Sequence, residues 1–284
     1  MITEPPLPDT LRVLFPDGEA DGRALSVALP AGRTVVPEDA EDDRPAYWLS
    51  DDPVSPALWR SLRDEHPRSG LWPLMLGALD DDAEDFRPWG EGEVAPEDMS
   101  SPDDHDAAAL LAEWWRDHTG PDEDDALSPA ERDGVTAPYG DWPGLAPTTA
   151  TTADPEHAAV DLAETLFAVF GTMRLGLVRA ERGADALTAL GWTGPVNCIG
   201  DTAEVSAVVR DWERRFGARV VGVGFDTLYL SVAAPPATRE EALRVAAEHF
   251  AFCPDNVWQS RDAQTLAAYA DRLVGERSWA FWWD

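Results

Sequence analysis

Lysine is missing from this chain of 284 residues, and all 22 basic side chains are arginine. Against them stand 54 acids, giving a net charge of −32. That shortage of positive charge argues against nucleic acid and anionic membrane surfaces as partners, since both are bound by cations that displace counterions. Cysteine is scarce as well: Cys198 and Cys253 are the only two, too few for a disulfide framework. Long apolar runs are lacking. The longest, Leu71–Leu79, contains a proline and is far too short to span a bilayer. The first residues, MITEPPLPDT, offer neither a positive start nor an apolar stretch, so no secretory signal is expected and the cytoplasm is the expected location. No Gly-rich phosphate loop, GxSxG elbow, HExxH or CxxC pattern occurs. Their absence favours a binding role over catalysis, and no cofactor or metal is implied.

What is present is enough apolar material, 44% of the residues, for one large core or two ordinary ones. Charge divides the chain unevenly. Residues 1–145 carry 35 acids and 10 arginines, a balance of −25, whereas residues 146–284 carry 19 and 12, a balance of −7. Between the two, Thr136–Ala153 (TAPYGDWPGLAPTTATTA) has no periodicity and many Pro, Gly and Thr residues. The expected organisation is an acidic N-terminal α+β region over 1–145, a linker at 146–157, and a C-terminal domain over 158–284 that folds as a unit of its own.

In the first region, Leu11–Phe15 and Ala24–Leu29 read as short strands around a Pro16-Asp17-Gly18 turn. Ser55–His66 reads as a helix with Ser55 as cap, Pro56 at the first position and Pro67 as the stop. Gly70–Leu79 reads as a buried strand. Residues 104–118 read as a helix, because Ala107, Leu110, Leu111, Trp114 and His118 recur at three- and four-residue spacing. In the second region, helices are expected over 154–170, 183–190, 201–216 and 238–253, and over 262–274 near the end. Strands are expected over 174–180, 219–225, 228–233 and 278–283. Asp201 with Glu204, and Thr238 with Glu241, have capping-box spacing. This order of elements predicts an α+β fold: a small mixed or antiparallel sheet with helices on one face.

Four strings stand out: Asp211–Gly217 (DWERRFG), Gly222–Leu230 (GVGFDTLYL), Glu248–Asp255 (EHFAFCPD) and Ser278–Asp284 (SWAFWWD). Together they make the stretch from about Leu175 to Asp284 resemble the bacterial family called domain of unknown function 4253. That resemblance implies no activity, cofactor or catalytic residue.

The candidate site residues are read from chemistry. His249 and Cys253, four apart on one helix, and Asp255 beyond them suggest a thiol and base, or part of a metal site. They equally suit a buried thiol packed beside a boundary histidine, and a thiol at a helix C-terminus meets the negative end of the dipole, which opposes thiolate formation. In the terminal strand Trp279, Phe281 and Trp283 should face the core and Trp282 the other way, which makes Trp282 a candidate contact for a ligand or partner. The acidic runs Asp80, Asp81, Asp82 and Asp122, Asp124, Asp125 lack the spacing of a calcium loop and read as solvated segments or part of an acidic binding face. The Gly222–Gly224 pair falls inside a strand, so it is no dinucleotide loop. Two functions follow. One is an interaction module whose acidic face engages a basic protein, with toxin immunity as one form. The other is a small-molecule enzyme or ligand-binding protein using the Cys253–His249 region.

Overall fold

Caps and prolines set most element starts. The computed structural model describes residues 5–16, 18–79, 85–120 and 128–284. Helix α1 (Asp9–Arg12) is a single turn behind Pro8. Strands β1 (Gly32–Val35) and β2 (Tyr47–Pro53) form a hairpin. Helix α2 (Pro56–Ser69) starts where the Ser55 hydroxyl accepts the Leu58 N–H. It runs past Pro67 and ends at Gly70, whose φ of 70° suits a residue without Cβ and whose N–H donates to His66 O at 2.8 Å. Strand β3 (Leu71–Leu76) follows at once, buried at every position.

Asp106 caps α3 (Ala107–Thr119), and Ser128 with Glu131 forms a reciprocal capping box on α4 (Pro129–Thr136). Asp154 accepts two N–H groups at the start of α5 (Pro155–Phe170). Strand β4 (Arg174–Arg179), α6 (Gly183–Leu190) and α7 (Thr202–Phe216) come next. Asp201 caps α7 through the Ala203 N–H. Arg182 gives α6 no side-chain cap; instead Glu213 of α7 accepts the Ala184 N–H at 3.1 Å. Strands β5 (Arg219–Val223) and β6 (Thr227–Ser231) lead to α8 (Arg239–Phe252), which has the expected Thr238–Glu241 box. Short α9 (Asp255–Trp258), α10 (Leu266–Leu273) and β7 (Ser278–Trp282) complete the chain.

Two expected strands are absent. Leu11–Phe15 forms the end of α1 and a turn, because Leu11, Leu14 and Phe15 share one buried side at helical spacing. Of Ala24–Leu29, only Ala24 pairs, in an isolated bridge to Pro6. The last helix begins at Leu266 rather than 262, where the Thr265 hydroxyl accepts the Ala268 N–H.

All seven strands lie in one mixed sheet ordered β1-β2-β4-β3-β5-β6-β7, so the fold is α+β as expected but the sheet is not small. Neighbours are antiparallel except β3 and β5, which run parallel. Strands from either side of residues 146–157 interleave, with β4 paired to β2 on one edge and to β3 on the other. The segment 146–157 itself is docked: the Thr149 hydroxyl donates to Ala234 O, and Thr152 N–H and Oγ1 both reach Ala233 O.

Helices cover both faces of the sheet rather than one. Strand periodicity explains how: in β3, Trp72, Leu74 and Leu76 enter one apolar cluster while Leu71 and Met75 enter the other. The first cluster is closed by α3, α6, α7, α8 and α10, and the second by α1, α2 and α5. Gly222 keeps the parallel pair close, since a Cβ there would sit 2.8 Å from Met75 O.

Candidate functional site

The site built by the singular strings is a buried polar core. Helix α7 presents Asp211, Trp212 and Arg215 to α8, which answers with Glu248 and His249. Arg215 grips Glu248 with two parallel bonds, Nη1 to Oε1 at 2.9 Å and Nη2 to Oε2 at 2.5 Å. Its Nε donates to Asp211 Oδ2 at 2.5 Å, the partner one helical turn back. Trp212 Nε1 donates to Glu248 Oε2 at 2.7 Å. Ala146 joins from the segment before α5, its N–H donating to Glu248 Oε1 at 2.6 Å and its carbonyl accepting from Arg215 Nη1 at 2.9 Å. Every charge is therefore paired and hydrogen-bonded, the condition under which a buried ion pair persists. The arrangement fixes the angle between α7 and α8 and pins residue 146 against both.

His249 lies beside this network in an aromatic box. Its ring centroid is 4.4 Å from Trp279, 4.8 Å from Phe281 and 5.2 Å from Trp212. Nδ1 is 3.1 Å from the Tyr269 hydroxyl, and Nε2 has no hydrogen-bond partner. Edge-on rings around it suit an N–H directed at an aromatic face. Burial, helped by the Arg215 charge, lowers its pKa to about 3, so the imidazole stays neutral at physiological pH.

Cys253 faces another way. Its thiol donates to Trp282 O at 2.9 Å, and burial holds its pKa far above the ordinary thiol range. Asn256 stands next to it: Nδ2 donates to Ala280 O at 2.8 Å and to Tyr269 Oη at 3.1 Å, and Oδ1 accepts the Trp282 N–H at 3.4 Å. Asp255 Oδ2 accepts the Asp284 N–H at 3.3 Å. These three side chains thus bond the outward carbonyl of Ala280, both outward groups of Trp282 and the N–H of Asp284 just beyond the strand. They replace the neighbour that β7, at the end of the sheet, lacks. The sequence brings His249 and Cys253 onto one helix, but the structure connects them only through Tyr269 and Asn256. Burial keeps the thiol protonated and its proton is directed at Trp282 O rather than at the imidazole, so the two side chains do not form a nucleophile–base pair.

Trp279, Phe281 and Trp283 are buried and Trp282 is 38% exposed, the alternation expected for the strand. Trp282 Nε1 donates to Asp226 Oδ2 at 3.0 Å. Asp80, Asp81, Asp82, Asp122, Asp124 and Asp125 lie outside the described residues. Among the described residues, no three His, Cys, Asp or Glu side chains converge as metal ligands would, and no helix is long and apolar enough to cross a membrane.

Three of the four singular strings are thereby accounted for: DWERRFG and EHFAFCPD supply the two sides of the ion network, and SWAFWWD supplies the aromatic box and the sealed edge. Residues 174–284 match a domain of unknown function (DUF4253). The DUF4253 segment starts with the first residue of β4 and holds β4 to β7 with α6 to α10. Only Ala146 of the buried polar core comes from outside it. No curated protein and no solved structure matches the chain. Sequence reasoning missed Arg215, Asp211, Asn256 and Tyr269. The four-residue spacing of Asp211 and Arg215 was a readable signal for an ion pair; the partnership with Glu248, 33 residues on, was not.

Proposed function

We propose that the protein is a cytoplasmic interaction module that holds a basic, extended segment of a partner protein against its β1–β2 hairpin. The observation that carries this reading is the hairpin's acidic, unsealed margin. Glu38, Asp39, Glu41, Asp42 and Asp43 are all exposed in the loop between the two strands, with Arg44 as the only basic residue among them. β1 ends the sheet on that side, and in its ladder with β2 the bonds at Ala31 and Val35 leave Gly32 and Thr34 facing outward. Among the described residues, no group hydrogen-bonds to the outward N–H and C=O of these two. An added strand would satisfy them, and acids beside the edge select a basic one. Inhibition of a basic toxin is one concrete form of this function. Catalysis at Cys253 and His249 has no comparable support, since both are closed off from solvent and burial keeps the Cys253 thiol protonated.

The test is affinity purification from the native host, with the wild-type chain beside a variant in which the five loop acids are replaced by serine. A partner should be captured by the first and lost by the second. Capture should also weaken as salt rises, because screening shortens the reach of exposed charge to about 8 Å at physiological ionic strength. A partner retained equally by both chains removes the reading.

A further inference from the structure

Where the parallel strands β3 and β5 end, the chain encloses a cavity of about 290 Å³. Its floor is backbone. Gly77 follows β3 and Gly224 follows β5, and Gly77 N–H donates to Val223 O at 2.9 Å. Two buried tryptophans hold this floor in place: Trp89 Nε1 donates to Gly77 O at 2.7 Å, and Trp192 Nε1 to Gly224 O at 3.0 Å. Phe170, from the end of α5, and Tyr229 of β6 form the aromatic wall, their rings 5.8 Å apart and tilted by 52°. Asp226, in the turn between β5 and β6, forms the polar side.

Neither glycine has a left-handed φ. A Cβ on Gly77 would come 3.4 Å from Met173 Cε, and one on Gly224 would come 3.4 Å from Thr227 Cβ, both ordinary contacts. The backbone therefore accepts alanine at either position, and what glycine preserves there is open volume. Ends of parallel strands in helix-covered sheets are places where ligands bind, and ligand cavities pair aromatic walls with a few polar groups.

The charge of the cavity restricts the ligand. Asp226 is the one ionisable acid or base among the described lining residues apart from the phenol of Tyr229. Its Oδ1 accepts the Thr227 hydroxyl at 2.9 Å and its Oδ2 the Trp282 indole N–H at 3.0 Å. A carboxylate has about four acceptor positions, so these two bonds orient it and leave capacity for a further donor or cation. An anion would meet this charge with no arginine in the lining. A bare metal ion would find a single carboxylate where it needs several oxygen ligands. We propose that the cavity binds a small organic ammonium ion, with its charge against Asp226 and its apolar groups against the rings of Phe170 and Tyr229. Aromatic faces attract such cations through their quadrupoles, and a nearby carboxylate adds direct attraction. Trp282, whose indole N–H orients Asp226, gains a role in this arrangement.

Choline is a suitable probe, with 3,3-dimethylbutan-1-ol as its neutral carbon isostere, titrated calorimetrically into the full chain at constant ionic strength. Choline should bind, and the alcohol should bind at least about tenfold more weakly, a difference of 1.4 kcal/mol or more. Gly224→Ala, which fills the floor, and Asp226→Asn, which removes the charge, should each weaken choline by a similar factor. The melting temperature of Gly224→Ala should stay unchanged. If Asp226→Asn fails to fold, Phe170→Ala, a side chain 38% exposed, supplies the second variant. The proposal is overturned by equal affinities for choline and the alcohol. It is overturned equally by undiminished choline binding in Gly224→Ala, or by the absence of choline binding at millimolar concentration.

Discussion

At one end of the sheet, the outward backbone groups of β7 are taken up by Asn256, Cys253 and Asp255. At the other end, Gly32 and Thr34 of β1 face outward with no hydrogen-bond partner among the described residues. Free edges invite pairing with another chain, and proteins usually blunt them with charge, short strands or covering segments. Here the two ends are treated differently. The β7 end is sealed by Cys253, which caps α8, and by Asp255 and Asn256 of α9, which follows directly on the helix that the Arg215–Glu248 pair ties to α7. The β1 end is only four residues long and is flanked by acids that repel any acidic strand, a second copy of this chain included. Sealing ties β7 to the core, while the outward backbone groups of Gly32 and Thr34 in β1 have no such partner among the described residues.

The strongest way to break the comparison is to loosen what roots the sealed edge. Glu248→Gln removes the charge that Arg215 faces and leaves a buried guanidinium short of one anion. We expect a loss of about 3–5 kcal/mol in urea unfolding. If the loss is below 1 kcal/mol, the network does not hold α8, and the sealed edge has another support.

A variant far from both edges separates buried charge from edge sealing. Glu213 is half-buried, and loss of hydration raises its pKa to about 7 from the ordinary value of 4.5. Its protonated form is favoured by folding, so its stabilising contribution is complete below about pH 4.5, declines as pH rises, and is gone above about pH 7. At 1.36 kcal/mol per unit the difference is on the order of 3 kcal/mol. Glu213→Gln should therefore be more stable than the wild-type protein at pH 8 by up to that amount, with the gain vanishing near pH 4.5. Thermal unfolding of both proteins across that range checks the sign, and a gain that does not depend on pH would refute it.

The smallest effects sharpen the comparison directly. Asn256→Ala strips three hydrogen bonds from the sealed side and should cost about 1–3 kcal/mol while making the protein more prone to self-association. Thr34→Pro removes one outward N–H from the open side, where nothing depends on it, and should cost less than about 1 kcal/mol. It should nevertheless abolish capture of a strand-adding partner. Equal costs at the two positions would mean that the edges do not differ as described.

Sequence made the C-terminal elements legible because local signals there agree with the packing. Asp154 and the Thr238–Glu241 pair cap their helices as expected, and the alternation of Trp279, Phe281, Trp282 and Trp283 gives the two faces of β7. The N-terminal strands were harder. Leu11, Leu14 and Phe15 are too few to show whether their period is helical or extended, and the pairing partner, once assumed local, settled the reading wrongly. At the candidate site, Cys253 and His249 were visible as residue types, but their direction was not. Whether a thiol points to a base or to a strand carbonyl depends on where residues 280–282 arrive, 27 to 29 positions later. The cavity beside Asp226 was illegible for the same reason, being made by three strand ends and a helix terminus that meet only in the folded chain.

The position of β4 between β2 and β3 also orders events during synthesis. β2 and β3 leave the ribosome first, yet the second edge of β2 and both edges of β3 stay without their final neighbours until Arg174–Arg179 has been made, about a hundred residues after β3. At about 5–20 residues per second, that wait lasts on the order of 5–20 s. Throughout it, a six-residue strand destined for burial on both faces has no partner. By the end of this interval all 35 acids of residues 1–145 have been translated, and mutual repulsion between chains so charged opposes their association before β4 arrives.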